Sequence, residues 1–203
     1  NDVVALRTAG YTGFRLPTLN ELYRSFLVFP ITTSANADLT PEQLKGIEGG
    51  IDLTPAKGIS FSATAFFNRL DDAIANVTIN SITRQRQNVD AIEAKGVELT
   101  FNGKLADFKL KASYAYTDNK VKAPGQQFNG YRPAQTPRHS ASATIAWQRA
   151  RGPSLAASLY YVGKQYEDDL QNDVLPSALT VDAVARLPLG HGITLVGRAE
   201  NIF

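Results

Sequence analysis

"FKLKASYAY", residues 108–116, alternates with a period of two: Phe108, Leu110, Ala112, Tyr114 and Tyr116 are apolar or aromatic, while Lys109, Lys111 and Ser113 are polar. A period of two sends these sets to opposite faces of an extended strand. The end aromatics stand eight positions apart. That is about 26 Å along a strand and near 20 Å of height once tilted, the size of an apolar band between two aromatic girdles.

The same period recurs on both sides of this stretch. Ile59, Phe61, Ala63, Ala65 and Phe67 alternate with Ser60, Ser62 and Thr64; Val97, Leu99 and Phe101 alternate with Glu98, Thr100 and Asn102. Ala141, Ala143, Ile145 and Trp147 alternate with Ser140, Ser142, Thr144 and Gln148. The sets Leu155/Ala157/Leu159/Tyr161 and Ile193/Leu195/Gly197/Ala199 repeat the pattern near the C-terminus.

Connections alternate too. Tight turns rich in Gly, Pro and Lys fall at residues 54–58, 102–107, 150–153 and 188–192, and longer polar links at 15–41, 71–91, 118–137 and 165–177. Short turns at one end and long loops at the other describe an all-β, antiparallel up-and-down meander of about nine strands, each roughly 10 to 14 residues. Globular strands average about 5 or 6 residues, so these are long for a sandwich. The apolar face is rich in alanine with aromatics near its ends, where a packed soluble core favours large aliphatics. Together these features predict a transmembrane β-barrel segment, with a soluble all-β domain as the alternative.

Composition narrows the chemistry. The chain has 203 residues, no Cys and no Met. Disulfides and thiolate metal sites are therefore excluded. The missing Met suggests that Asn1 is not a natural start. The net charge of +2, from 21 basic and 19 acidic residues, gives no sign of a nucleic-acid partner. No apolar run reaches the roughly 18 residues of a membrane helix.

Several motifs carry a family resemblance. They are "GFRLPTLNELY" (13–23), "NADLTPEQLKGIEGGID" (36–52), "FFNRLDDAI" (66–74), "AKGVEL" (94–99), "YYVGKQYEDDLQND" (160–173) and "LVGRAENIF" (195–203). In this order the chain resembles the C-terminal part of the β-barrel of a TonB-dependent outer-membrane receptor. The resemblance implies a roughly 22-stranded barrel with short periplasmic turns and long extracellular loops, plugged by an N-terminal domain. It implies uptake of a scarce metal chelate, such as a ferric siderophore, or of a cobalamin-like ligand, energised by the TonB complex. On this reading the whole of 1–203 is partial barrel, with the plug, the TonB box and a final strand outside it. A monomer in outer-membrane lipid, with no cofactor and no catalysis, is expected. A passive porin-like or adhesin-like barrel is the alternative.

Candidate residues follow. Long loops on a rigid barrel carry recognition, which points to Arg15 and Tyr23 in one link and Tyr131, Arg132 and Arg138 in another, aromatics beside cations suited to an anionic chelate. Glu98, Arg186, Arg198 and Glu200 lie on polar faces and are expected to line the lumen. Asp168 and Asp169, beside Glu167, are weak candidates for ion binding, since their spacing lacks the Gly and distal Glu of an EF-hand loop. Asp71-Asp72 reads as a solvated rim pair. His139-Ser140 resembles part of a hydrolase site, but neighbours on a strand point to opposite faces. Thr18 and Glu21 behind Pro17 form a capping box, predicting one helical turn where a strand reaches the rim.

Overall fold

The computed structural model describes residues 3–150 and 152–203. In chain order its elements are β1 (Val4–Arg15), α1 (Leu19–Tyr23), β2 (Phe26–Val28), β3 (Ile31–Ser34), β4 (Glu42–Ala56), β5 (Ile59–Asn80), β6 (Thr83–Leu105) and β7 (Phe108–Lys122), followed by β8 (His139–Gln148), β9 (Ser154–Val162), β10 (Gln165–Tyr166), β11 (Val174–Leu175), β12 (Ala178–Gly190) and β13 (Ile193–Ala199). The main sheet runs β1-β4-β5-β6-β7-β8-β9-β12-β13, nine antiparallel strands of a meander. β2 and β3 form a small hairpin whose β3 also pairs in parallel with β6. The sheet is not closed: among the described residues β1 and β13 each have one neighbour, β4 and β12. No helix among these residues is long and apolar enough to cross a membrane.

Cross-strand register unites the alternating sets read from the sequence. Phe61 faces Phe101, Ala63 faces Leu99 and Ala65 faces Val97. Tyr114 faces Leu99 and Tyr116 faces Val97, and Phe108 faces Trp147 while Ala112 faces Ala143. Ile145 faces Ala157 and Trp147 faces Leu155. One apolar face therefore runs across the sheet, and it stays open: Phe61, Phe67, Leu99, Phe108, Tyr114 and Leu155 are among its exposed large residues. Two aromatic rows bound it. Phe61, Phe101, Phe108 and Trp147 stand at the short-turn end, and Phe67, Tyr114, Tyr116 and Tyr161 toward the loops. An apolar band exposed in this way is the surface a barrel offers to lipid.

The turns follow their residues. His191 and Gly192 both take positive φ, 52° and 79°, the left-handed pair whose twist suits a two-residue hairpin. A Cβ at Gly96 would lie 2.1 Å from the carbonyl oxygen of Tyr116 and 2.8 Å from the ring of Phe66, so β6 can carry only glycine there. The turn expected at 150–153 includes Arg151, which lies outside the described residues.

All four expected links contain more regular structure than their composition announces, 15–41 through the β2-β3 hairpin. Residues 71–91 are not a loop: β5 and β6 extend to 22 and 23 residues and meet at Asn80 and Thr83. The 10-to-14-residue range fails for this pair because the hairpin outruns the lipid band, and beyond it the strands no longer face lipid, so a strict apolar alternation is no longer needed. Similarly, β7 continues to Lys122, and 165–177 holds the short β10-β11 ribbon. The buried core sits at this long-loop end. Ala73, Val77, Val89, Val121, Ala123 and Phe128 pack together, with Tyr131 and Leu170 against them.

Candidate functional site

The long-loop end is built around an ionic node at the top of β1. Thr18 caps α1: its hydroxyl accepts from the Glu21 amide at 3.2 Å, and the Glu21 carboxylate accepts from the Thr18 amide at 2.7 Å. The predicted capping box is formed. Arg15 then donates to Glu21 through Nη1 at 2.9 Å and to Glu42 through Nε. Glu42 is buried, 5 % exposed, and its other oxygen accepts from the Ile74 amide at 2.7 Å. One cation thereby joins β1, α1, β4 and β5. Hydrogen bonds, first to Glu42 and then to Glu21, raise the Arg15 pKa above its ordinary value. Burial works against ionising Glu21, but the hydrogen bonds from Arg15 and Thr18 outweigh it and hold the carboxyl at about 2.

At its other end α1 meets Arg86, which donates to the carbonyls of Asn20 at 2.6 Å and Arg24 at 3.0 Å and lies over the Phe26 ring at 5.2 Å. A cation at a helix C-terminus satisfies carbonyls that have no partner within the helix. Tyr23 is 70 % exposed on this rim.

A cavity of about 270 Å³ opens where the loops fold onto the β5-β6 hairpin. Ile74, Val77 and Phe128 give it an apolar side, and Arg84, Arg132 and Glu167 charged ones. Arg132 and Lys164 both lie over the Tyr166 ring, at 5.8 and 5.2 Å from its centroid. Such contacts hold cations in place while leaving most of their charge available. Tyr131 is half-buried against the core. Arg138 is elsewhere, paired with Asp118 at 3.3 Å. Arg15 and Arg132 therefore sit in separate clusters, and the five loop residues do not converge on one point.

The acidic loop spends its aspartates on hydrogen bonds within the protein, Asp168 on its own loop and Asp169 on β5. Asp168, 5 % exposed, accepts from the amides of Leu170 (2.9 Å), Asn172 (3.3 Å) and Asp173 (2.8 Å). Asp169 accepts from the Thr78 amide at 3.0 Å and from its hydroxyl, tying the loop to β5. Among the described residues no group of three or more His, Asp or Glu could hold a metal ion.

Glu98, Arg186 and Arg198 lie on the face opposite the apolar band, and Glu200 follows just past the end of β13. Glu98 faces Ala115 on β7, whereas Arg186 faces Val196 on β13, so they are strands apart. Arg198 on β13 pairs with Glu200. Sequence reading missed the stronger cluster on this face: Arg7 reaches Asp52 at 3.2 Å and Glu48 at 3.6 Å, with Ser62 and Thr64 on the same guanidinium. These residues come together only through the register of β1, β4 and β5. Asp71, in contrast, pairs with Lys45 at 2.9 Å and Arg69 at 2.6 Å. His139 accepts or donates at 2.8 Å to the Tyr114 hydroxyl on the apolar face, and Ser140 faces Ala115 on the other, so no nucleophile and base are paired here.

Comparison with known proteins places this geometry. The family model for TonB-dependent receptor-like β-barrels matches residues 1–202. The ferrioxamine B receptor of Salmonella typhimurium is 31% identical over 164 residues, 78% of this chain and 22% of that receptor. The vitamin B12 transporter BtuB of Photobacterium profundum is 28% identical over 196 residues, 95% of this chain and 30% of the transporter. Among solved structures, the siderophore receptor PiuA of Acinetobacter baumannii superposes with a TM-score of 0.76 at 19% identity, over 100% of this chain and 30% of PiuA. The chain thus spans less than a third of the length of each.

Proposed function

The chain belongs to the TonB-dependent receptor β-barrel family, a family of outer-membrane receptors and transporters rather than enzymes, and from that premise we propose that it forms part of the wall and outer mouth of a barrel importing a scarce metal chelate or cobalamin-like ligand. Uptake across the bacterial outer membrane is energised through TonB, acting on a part of the protein beyond this chain. The polar face carrying Glu98, Arg186, Arg198, Glu200 and the Arg7 cluster lines the lumen, and the barrel works as a monomer.

The observation that carries the ligand reading is the cavity beside Arg132. An apolar side next to Arg84 and to Arg132, which lies over the Tyr166 ring, suits a ligand with anionic donor groups. Arg15, by contrast, holds the mouth in shape.

The test is deletion of the full-length gene, followed by growth and uptake under iron, cobalamin or carbohydrate limitation, with and without the proton-motive force. A defect under iron or cobalamin limitation, abolished together with the proton-motive force, is expected. Unimpaired growth under every limitation, or transport indifferent to the proton-motive force, overturns the reading in favour of a passive barrel.

A further inference from the structure

The inner wall of the sheet is not uniform in charge. On β4 it presents Glu48 and Asp52, which face Ala9 and Ala5 on β1, and on β12 it presents Asp182, which faces Ser158 on β9. Between them, among the described residues, the inner faces of β7, β8 and β9 carry no carboxylate; Asp118 of β7 faces Lys95 on the outer side. Hydroxyls take their place. Thr100, Ser113, Ser142 and Tyr160 stand opposite one another in a row from β6 to β9. Ser113 and Ser142 are hydrogen-bonded at 2.8 Å, and one step nearer the short turns Thr144 meets Ser158 at 2.9 Å.

Both ends of this strip are basic. At the loop end it runs into the cavity beside Arg132, because Ile92 and Val121, which face each other on the inner side of β6 and β7, line that cavity. The acids around the cavity are engaged: Glu167 accepts from Gln135 at 3.0 Å, Asp168 serves its own loop and Asp169 holds Thr78. At the short-turn end stand Lys104, Lys109 and Lys111. Lys104 faces Lys109 directly, and Lys111 follows on the same side of β7. All three are exposed, and none has a carboxylate at ion-pair distance among the described residues. Like charges opposed on neighbouring strands are destabilising, and an anion between them relieves the repulsion.

Val121 and Lys109 lie twelve positions apart on β7, about 40 Å of strand. Neutral hydroxyls along that length donate to an anion more weakly than a charged partner does, so they pass it on instead of trapping it.

We propose that the inner face of β7, β8 and β9 is an anion-conducting sector of the lumen wall, with Lys104, Lys109 and Lys111 as its lower site for an anionic, oxygen-rich solute. The inference rests on the importer reading above and deepens it. The sector gives an anionic cargo a route that avoids the carboxylates of β4 and β12 and leads from the Arg132 cavity to a second cationic site.

The chain has no Cys, so thiols placed in this wall report its charge one position at a time. The purified full-length receptor carrying Ser142→Cys is treated in detergent with two methanethiosulfonates, one bearing a sulfonate and one a trimethylammonium. Labelling at the introduced thiol is read by mass spectrometry. Relative to their rates with a small free thiol, the anionic reagent should react about tenfold faster than the cationic one at low ionic strength, and the preference should fade at about 1 M salt. K109Q/K111Q should lower the preference by about threefold or more. K120Q/K122Q, on the outer face of β7, should leave it unchanged. Ala9→Cys, opposite Glu48, should prefer the cationic reagent. Equal rates at Ser142→Cys overturn the proposal, since acids elsewhere in the receptor then neutralise the lysines. A preference indifferent to K109Q/K111Q, or no labelling by either reagent, overturns it too. So does an equal anionic preference at Ala9→Cys, because no sector is then set apart. Should Ser142→Cys fail to fold, Thr144→Cys is read against the same outcomes. The reagents replace the cargo, so these results stand or fall separately from the growth and uptake tests of the importer reading.

Discussion

Arg15 and Glu42 face each other across the β1-β4 pair, and Glu42 hands its second oxygen to the Ile74 amide on β5. Three strands and a capped helical turn are thus held by one buried carboxylate. Glu42→Ala leaves the Arg15 guanidinium and the Ile74 amide without this acceptor, at a cost of about 1–3 kcal/mol. Thermal unfolding of the full-length protein, followed by gel mobility, should show the loss, and Glu42→Gln should recover part of it.

The Glu21 carboxyl, held at about 2 against an ordinary 4.5, sets a pH window. Because the folded value is the lower one, the stabilisation is fully present above the unfolded pKa and is lost as pH falls through the folded value. Wild type should exceed Glu21→Gln in stability at pH 6, and the gap should close between pH 4.5 and about 2. A gap that stays constant over this range would refute the linkage.

Neighbouring residues on β8 should respond oppositely to the same charge. Ala143 faces Ala112 and Leu159 within the band, while Ser142 faces Ser113 and Tyr160 on the polar side. Ala143→Lys should destabilise the barrel in lipid vesicles by about 2–4 kcal/mol, and Ser142→Lys by about 1 or less. Urea unfolding of the two variants measures the difference.

Asp169 pins its loop to Thr78. Asp169→Ala should speed limited proteolysis within residues 167–173 severalfold, whereas a chelator added to wild type should leave cleavage unchanged. Protection lost on chelation would revive an ion at this loop.

For ligand uptake, Arg132→Ala should lower the rate about tenfold under the limitation that exposes the receptor, as expected for loss of one charged contact. Arg138→Ala should leave it near wild type, because that guanidinium pairs with Asp118 on the lipid-facing side.

Much of the wall was legible in the sequence because lipid imposes a strict rule: every second residue must be apolar. Phe61 beside Phe101 and Ala112 beside Ala143 confirm sets assigned from alternation alone. The rule lapses above the membrane, so the outer halves of β5 and β6 give no alternating signal in the sequence although they pair as strands up to Asn80 and Thr83. The mouth was less legible still. The partners of Arg15 up to Glu21 are local and could be read through the capping box, but Glu42, Arg86 and the Arg7-Asp52 pair depend on register, which no short motif encodes. Separating Arg132 from Arg138, only six positions apart, required knowing that Arg138 reaches Asp118 on β7 while Arg132 reaches the Tyr166 ring.

The overlong β5-β6 hairpin has a mechanical consequence. From Asp71 to Asn80 it rises about 30 Å at strand spacing, too far for an unsupported ribbon to stand upright. It is guyed like a mast: β3 runs along one side at Thr83, and Asp169 ties the other at Thr78. The hairpin's upright posture then depends on both stays, and slackening either one would let it lean.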